Sequence, residues 1–334
     1  MEDDKIVAEG YHHQAGSPHA EVEAIRGLGR TPKEGASIFV SLEPCSTTGW
    51  TPPCVQGILN AGIKRVYIGA TDPNPSHAGR GIAILRESGV YVEMADEEFQ
   101  SRATRLNFIF NHSITTGNPL IALKLAESSN GMLAEVGGKP SRVTEDQARL
   151  DMMMWRRLFP AICVGSGTIL ADNPSLTARL PEETFCPIRL VLDSRLSTFE
   201  QSISPRTVYT DKFSSKTKVI TTSVGLNNKD AVKRADELGI LLIGAKKDEN
   251  GRIDLPDLQR ILKDLDLMAL FCEGGAKIAN SLLDHNLANY LFRYQSPKLF
   301  SGPDALPGPA FDDLNLREPI TTQLGEDTLI HGFL

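Results

Sequence analysis

The chain has 334 residues, 41% of them apolar, enough to bury two ordinary cores, and no run of about 18 apolar residues that would cross a bilayer. Its 42 acidic side chains outnumber 35 basic ones for a formal net charge of −7, with no basic stripe to grip a phosphate backbone, so a small substrate is expected and a nucleic-acid partner is not. The start MEDDK has neither the basic nor the apolar region of an export signal, and five cysteines, an odd count, read as reduced thiols, so a cytoplasmic location without a membrane partner is expected.

In chain order, apolar runs at KIVAEGYHH, ASIFVSLE, RVYIGA and VYVEMA alternate with helical segments at HAEVEAIRGL, CVQGILNAG and GIAILRESG. Strands separated by helices imply parallel pairing with ligands at the carboxyl ends, where SLEPC and ATDPN fall. The polar stretch HSITTGN reads as a linker, which places one domain at 1–115 and a second at 118–334. The second series has strands at PLIALKLAE, AICVGSG, IRLVLDS, KVITTS, LLIGA, LMALFCEGG and NYLFRYQSPKLF. Its helices are predicted at TEDQARLDMMMWRRLF, KDAVKRADELG, LPDLQRILKDL and AKIANSLLDHN. The methionines at 152–154 read as a helix's core face, and Cys163, Cys186 and Cys272 as buried small hydrophobes.

His19, Glu21, Cys45 and Cys54 carry the most chemistry. One imidazole and two thiolates supply three of zinc's four tetrahedral positions, the ligand count of a catalytic site with a place left for water. Pro52-Pro53-Cys54 leads into a predicted helix whose N-terminal dipole lowers a thiol pKa, so both cysteines are expected as thiolates. H-x-E followed by P-C and a second Cys is the nucleobase-deaminase signature, in which the Glu shuttles the proton of a zinc-activated water. Here eight residues separate Cys45 from Cys54 in place of the usual two, which predicts a loop inserted between the ligands.

In the second half, Gly165-Ser166-Gly167-Thr168, Asp172-Asn173-Pro174 and Gly274-Gly275 follow predicted strands, where small residues let backbone N–H groups approach phosphate. The string GSGTIL lacks the third glycine of the dinucleotide fingerprint, so an ordinary Rossmann fold is not supported. Lys124, Arg156 and Arg179 are candidate partners for phosphate or carbonyl oxygens.

Over nearly its whole length the sequence resembles the bifunctional riboflavin-biosynthesis enzymes, which join a diaminohydroxyphosphoribosylaminopyrimidine deaminase to a 5-amino-6-(5-phosphoribosylamino)uracil reductase. GYHHQAGSPHAEVEA, SLEPCSTTGWTPPC and TDPNPSHAGRG resemble the deaminase half. KLAESSNG, VGSGTILADNPSLTARL, LDSRL, CEGGAKIANSLL and SPKLFSG resemble the reductase half. The resemblance implies a zinc cytidine-deaminase-like three-layer domain followed by a dihydrofolate-reductase-like α/β domain, with Zn2+ and NADPH as cofactors and a homo-oligomer as the assembly. It implies His19, Cys45 and Cys54 as zinc ligands, Glu21 as the proton shuttle, and His12, Asp72 and Asn74 as pyrimidine-binding residues. In the reductase half it implies a substrate pocket of Lys124, Thr144, Arg156, Asn173, Ser175, Leu176, Arg179 and Glu273. Gly165, Gly167, Thr168, Asp172, Ser194, Thr221, Gly274 and Gly275 fall in strings that resemble its NADPH-binding segments.

Four positions depart from the family pattern. Thr47 and Trp50 stand where a His and a basic residue are usual, Asn130 replaces an acidic residue, and Val143 replaces a Trp. The family's first helix and strand have no counterpart here, so a sheet one strand short, with an open edge and uncovered side chains, is expected. Two alternatives to the two-activity enzyme stay open: a reductase carrying an impaired deaminase domain, and a catalytically dead protein that binds metal or nucleotide.

Overall fold

A computed structural model of the protein describes residues 1–13, 16–136, 142–309 and 316–334, which separate into two compact units, Met1–Gly117 and Asn118–Leu334.

The first unit runs α1 (Ala20–Gly27), β1 (Ser37–Val40), α2 (Cys54–Asn60), β2 (Arg65–Ile68), α3 (Arg80–Glu87), β3 (Tyr91–Met94), α4 (Glu97–Leu106) and α5 (Phe108–Thr116). The three strands lie in chain order and parallel, with Val66 between Ile38 and Val92. Alternation along each strand sends Ile38, Val66, Ile68 and Val92 into a core with Ile58 of α2 and Leu85 of α3. It sends Phe39, Tyr67 and Tyr91 to the other face, where the Phe39 and Tyr67 rings stack at 4.5 Å. Phe39 and Tyr91 are each 56% exposed, so this face of the sheet is largely uncovered. At the β1 edge the backbone of Met1 pairs with Ser37 in both directions, at 2.6 and 3.0 Å.

Two segments of this unit differ from expectation. KIVAEGYHH is not a strand. It runs against α1, and Gly10 makes that approach possible, since a Cβ there would sit 2.4 Å from the Ala20 carbonyl oxygen and from Ala24 N. The stretch HSITTGN is mostly helical, because α5 continues through Thr116, and the two units part within it between Gly117 and Asn118. Thr115 and Thr116 donate their hydroxyls to the carbonyls of Asn111 and His112 one turn back, and Gly117, at φ 66°, ends the helix.

The second unit begins with β4 (Leu120–Glu127), β5 (Met132–Ala134), α6 (Asp146–Leu158), β6 (Ala161–Gly165), α7 (Ser166–Asp172), β7 (Ala178–Arg179), β8 (Thr184–Phe185) and β9 (Ile188–Leu192). It continues through α8 (Thr207–Thr210), β10 (Thr217–Thr221), α9 (Ser223–Leu226), α10 (Lys229–Glu237), β11 (Leu241–Gly244), α11 (Pro256–Asp264), β12 (Ala269–Cys272) and α12 (Ala276–Asp284). Last come β13 (Tyr290–Gln295), β14 (Leu306–Pro307), β15 (Arg317–Leu324) and β16 (Asp327–Phe333). Among the described residues nine strands form one sheet in the order β11-β10-β9-β6-β12-β4-β13-β16-β15. Pairing is parallel from β11 to β13 and antiparallel through the terminal hairpin. The central strands β4, β6 and β12 are buried nearly throughout, as continuous apolar runs in a parallel sheet require.

Sequence pattern does not announce the β15–β16 hairpin, because REPITTQL is exposed along most of its length and so has no apolar face to mark it. The methionine triplet is only partly core: Met153 is buried and Met154 exposed, since consecutive helical residues point about 100° apart. Cys163, Cys186 and Cys272 are buried free thiols.

Candidate functional site

In the first unit three side chains from separate elements converge. His19 immediately precedes α1, Cys45 follows β1, and Cys54 opens α2. Their ligand atoms all lie within 4.8 Å of one another: His19 Nδ1 is 3.2 Å from Cys54 Sγ and 3.5 Å from Cys45 Sγ. The backbone N–H of Cys54 donates to Cys45 Sγ at 3.3 Å.

The two sulfurs share one proton. The Cys54 thiol's hydrogen bond lowers the Cys45 pKa to about 5, while the same hydrogen bond to Cys45, together with burial, pushes Cys54 well above an ordinary thiol. A dication exchanges readily for such a proton, so the imidazole and the two sulfurs fit Zn2+. Glu21 lies in the first turn of α1, buried, with its carboxyl beside the Cys54 thiol. Burial raises its pKa above the usual carboxylate range, which suits a group that must hold and release a proton.

Around this centre the His12 ring stands edge-on to His19 at 5.2 Å, with Nδ1 3.2 Å from the Pro18 carbonyl oxygen. Asp72 and Asn74 follow β2 in consecutive Asx turns, where Asp72 Oδ1 accepts from Asn74 N–H and Asn74 Oδ1 from Ser76 N–H. Trp50, at the tip of the inserted loop, is 82% exposed.

In the second unit Glu273, just beyond β12, receives two cations. Arg156 of α6 meets it as a fork, Nε to Oε1 at 2.5 Å and Nη2 to Oε2 at 2.9 Å, and Lys124 Nζ of β4 lies 3.6 Å from Oε2. Burial alone would raise the Glu273 pKa, but Arg156 and Lys124 together hold it down to about 2. Burial lowers the pKa of Lys124, with Glu273 opposing that shift. Arg156 also donates Nη1 to the Thr177 carbonyl at 3.0 Å, so its guanidinium is occupied by protein acceptors. Arg179 is less engaged by charged partners. Arg179 is exposed and reaches Ser175 Oγ at 2.6 Å and Thr177 Oγ1 at 3.3 Å.

The remaining pocket residues are more dispersed. Asn173 takes a left-handed conformation, φ 43°, and turns Oδ1 to the Thr207 N–H at 2.7 Å, while Leu176, φ 53°, is buried. Thr144 is half-buried in the turn before α6, which is anchored where Glu145 N–H donates to Asp327 Oδ2 at 2.7 Å. Val143, beside it, is buried.

The glycines differ in purpose. A Cβ on Gly165 or Gly274 would meet Ile278 of α12, at 2.7 Å from Cδ1 and 2.8 Å from Cβ respectively, so both permit close helix–strand packing. Gly167 and Gly275 face open space instead. Gly275 caps α12 without a side chain, leaving that helix's first N–H groups for an anion, which fits the pyrophosphate of NADPH. Thr168 lies in the first turn of α7, and Asp172 at its end has its pKa raised by burial. Ser194 Oγ accepts from Ile253 N–H at 3.1 Å. Thr221 is fully buried, with its carbonyl oxygen taken by Ala245 N–H at 2.7 Å.

Sequence reasoning passed over Glu43, Thr177 and Asp327. Glu43 stands in the quoted string SLEPC, and its signal was a lone carboxylate between a strand end and a proline.

Comparison with known proteins places these geometries in one family. The model of the RibD C-terminal domain matches residues 119–330, and that of the cytidine and deoxycytidylate deaminase zinc-binding region matches residues 1–70. The riboflavin biosynthesis protein RibD of Bacillus amyloliquefaciens is 38% identical over 330 residues, 97% of this chain and 85% of that protein. The chain belongs to the RibD family. The RibD protein of Escherichia coli is 36% identical over 317 residues, 91% of this chain and 82% of that one. A solved deaminase/reductase structure from Thermotoga maritima matches with a TM-score of 0.76 at 28% identity, covering 99% of this chain and 89% of the other. The protein is a riboflavin biosynthesis enzyme in which a cytidine-deaminase-like zinc domain precedes a dihydrofolate-reductase-like α/β domain, and Zn2+ and NADPH are their cofactors.

Proposed function

We propose that the deaminase half, 1–115, hydrolyses an amino group from diaminohydroxyphosphoribosylaminopyrimidine and that the reductase half, 118–334, converts the ribosyl chain of 5-amino-6-(5-phosphoribosylamino)uracil to ribityl. Convergence of His19, Cys45 and Cys54, with Glu21 against Cys54, is the observation that carries this reading. His19, Cys45 and Cys54 hold the zinc, and Glu21 takes up the proton of the attacking water and delivers it to the departing amine. Zinc, when bound, supplies the charge that lets water ionise near neutral pH. His12, Asp72 and Asn74 orient the pyrimidine.

In the reductase half Lys124, Arg156 and Glu273 form a fixed charged floor, and Thr144, Asn173 and Leu176 shape the pocket over it. Ser175 and Arg179 take the substrate phosphate, because Arg179 is exposed and Arg156 is already spent on Glu273. NADPH, when bound, supplies the hydride. Gly165, Gly167, Thr168, Asp172, Ser194, Gly274 and Gly275 border its site, while Thr221 supports the turn beneath. Among the described residues no helix is long and apolar enough to cross a membrane. A cytoplasmic homo-oligomer without nucleic-acid or membrane partners is part of this proposal, supported by the net charge of −7 and the free thiols.

Purified protein tests the reading: it should hold one zinc per chain, release ammonia from the pyrimidine ribotide, and then consume NADPH. NADPH bound without any hydride transfer would favour the catalytically dead alternative. NADPH consumed only when deaminated substrate is supplied would favour a reductase with an impaired deaminase domain.

A further inference from the structure

We propose that Glu43 is a positioning residue for deamination, tying the metal-bearing loop after β1 to the substrate-bearing loop after β2; this rests on the deaminase reading above. Glu43 is 4% exposed, and each of its carboxylate oxygens accepts two backbone N–H groups. Oε2 takes Asp72 at 3.1 Å and Gly79 at 2.9 Å, and Oε1 takes Gly81 at 2.8 Å and Ile82 at 3.2 Å. The first pair brackets the segment 72–79, and the second lies in the first turn of α3, whose N-cap residue Gly79 has no side chain to cap it. Glu43 therefore caps α3 from a neighbouring loop and closes the base of the segment that carries Asp72 and Asn74. Among the described residues no Lys or Arg forms an ion pair with this carboxylate, so backbone dipoles alone offset its burial.

Its connections run both ways. Cys45 lies two residues further along the same loop, and Glu43 N–H donates to the Ala70 carbonyl at 2.8 Å, joining the two strand ends directly. From Asp72 the hydrogen bonds continue through Asn74 to Ser76, so the aim of both side chains follows from where Glu43 holds the Asp72 backbone. A Cβ on Gly81 would lie 2.2 Å from the Pro44 carbonyl oxygen, so only glycine lets α3 approach the loop this closely. The two loops thus move as one piece, and the spacing between metal and pyrimidine is set by this carboxylate.

Glu43→Gln keeps the shape but turns an NH2 group toward two backbone donors. It should retain one zinc per chain and leave the reductase rate on deaminated substrate unchanged, while KM for deamination rises about tenfold with a smaller change in kcat, the effect of losing one or two charge-assisted hydrogen bonds. Glu43→Asp keeps both acceptor oxygens and should recover part of the KM. An unchanged KM in Glu43→Gln overturns the proposal. Loss of zinc or of folding in both variants also overturns it, since Glu43 would then be a structural prop alone. Absence of deamination in the unsubstituted protein removes the deaminase reading itself, and this proposal with it.

Discussion

Arg156 and Glu273 meet as a buried two-pronged pair, 117 residues apart in sequence, and Lys124 joins them from the adjacent strand. Two cations and one carboxylate in a dry site are stable only while the carboxylate is charged. Glu273→Gln should therefore destabilise the second unit by about 3–5 kcal/mol, the cost of leaving buried charge uncompensated. Denaturant unfolding near pH 6 measures it.

The same network sets a pH dependence. The folded-state pKa of Glu273, about 2, lies below its ordinary value of 4.5, so its contribution to stability is complete above about 4.5 and is lost as pH falls toward 2. The stability gap between the parent protein and Glu273→Gln should be widest near neutral pH and narrow below pH 4.5. A gap that widens on acidification would contradict this sign.

Gly274 and Gly275 are neighbours with different duties. Gly274→Ala would set a Cβ against Ile278 Cβ and lower the melting temperature, whereas Gly275→Ala points into open space and should leave melting unchanged while weakening NADPH binding. Thermal unfolding and NADPH titration of the two variants separate the roles.

Asn130 departs from the family's acidic residue for a local reason. Its Nδ2 donates to the Phe300 carbonyl at 2.7 Å and its Oδ1 accepts from Phe300 N–H at 3.2 Å and from the Ser128 hydroxyl at 2.7 Å. Asn130→Asp would face a carboxylate to that carbonyl and should cost roughly 1–3 kcal/mol. Equal or higher stability of the variant would remove this account of the departure.

Cys45→Ser should release zinc and end deamination while sparing the reductase, because a hydroxyl is a poor zinc ligand. Metal analysis and the two separate assays check it; retained deamination would refute the assignment of Cys45.

Much of this architecture was legible in the sequence where one pattern had one physical meaning. Buried parallel strands such as ALFC read directly as apolar runs, and the His19, Cys45 and Cys54 spacing read as a metal site. Legibility ended where a residue's partner was distant in sequence. Nothing local to Arg156 says that it meets Glu273, and nothing local to Glu43 says that four N–H groups from the loop after β2 and the first turn of α3 converge on it. Polar stretches misled in both directions. The Thr115 and Thr116 hydroxyls of HSITTG bond back to the helix they were expected to end, and the exposed strand β15 carries no alternation to find.

The central claim is that Glu21 moves the proton at a zinc held by His19, Cys45 and Cys54. Zinc content and ammonia release measured together on Glu21→Gln test it most directly: the account predicts one zinc per chain and deamination slowed by about 10²- to 10⁴-fold. Deamination at the unsubstituted rate in the zinc-loaded variant would contradict it.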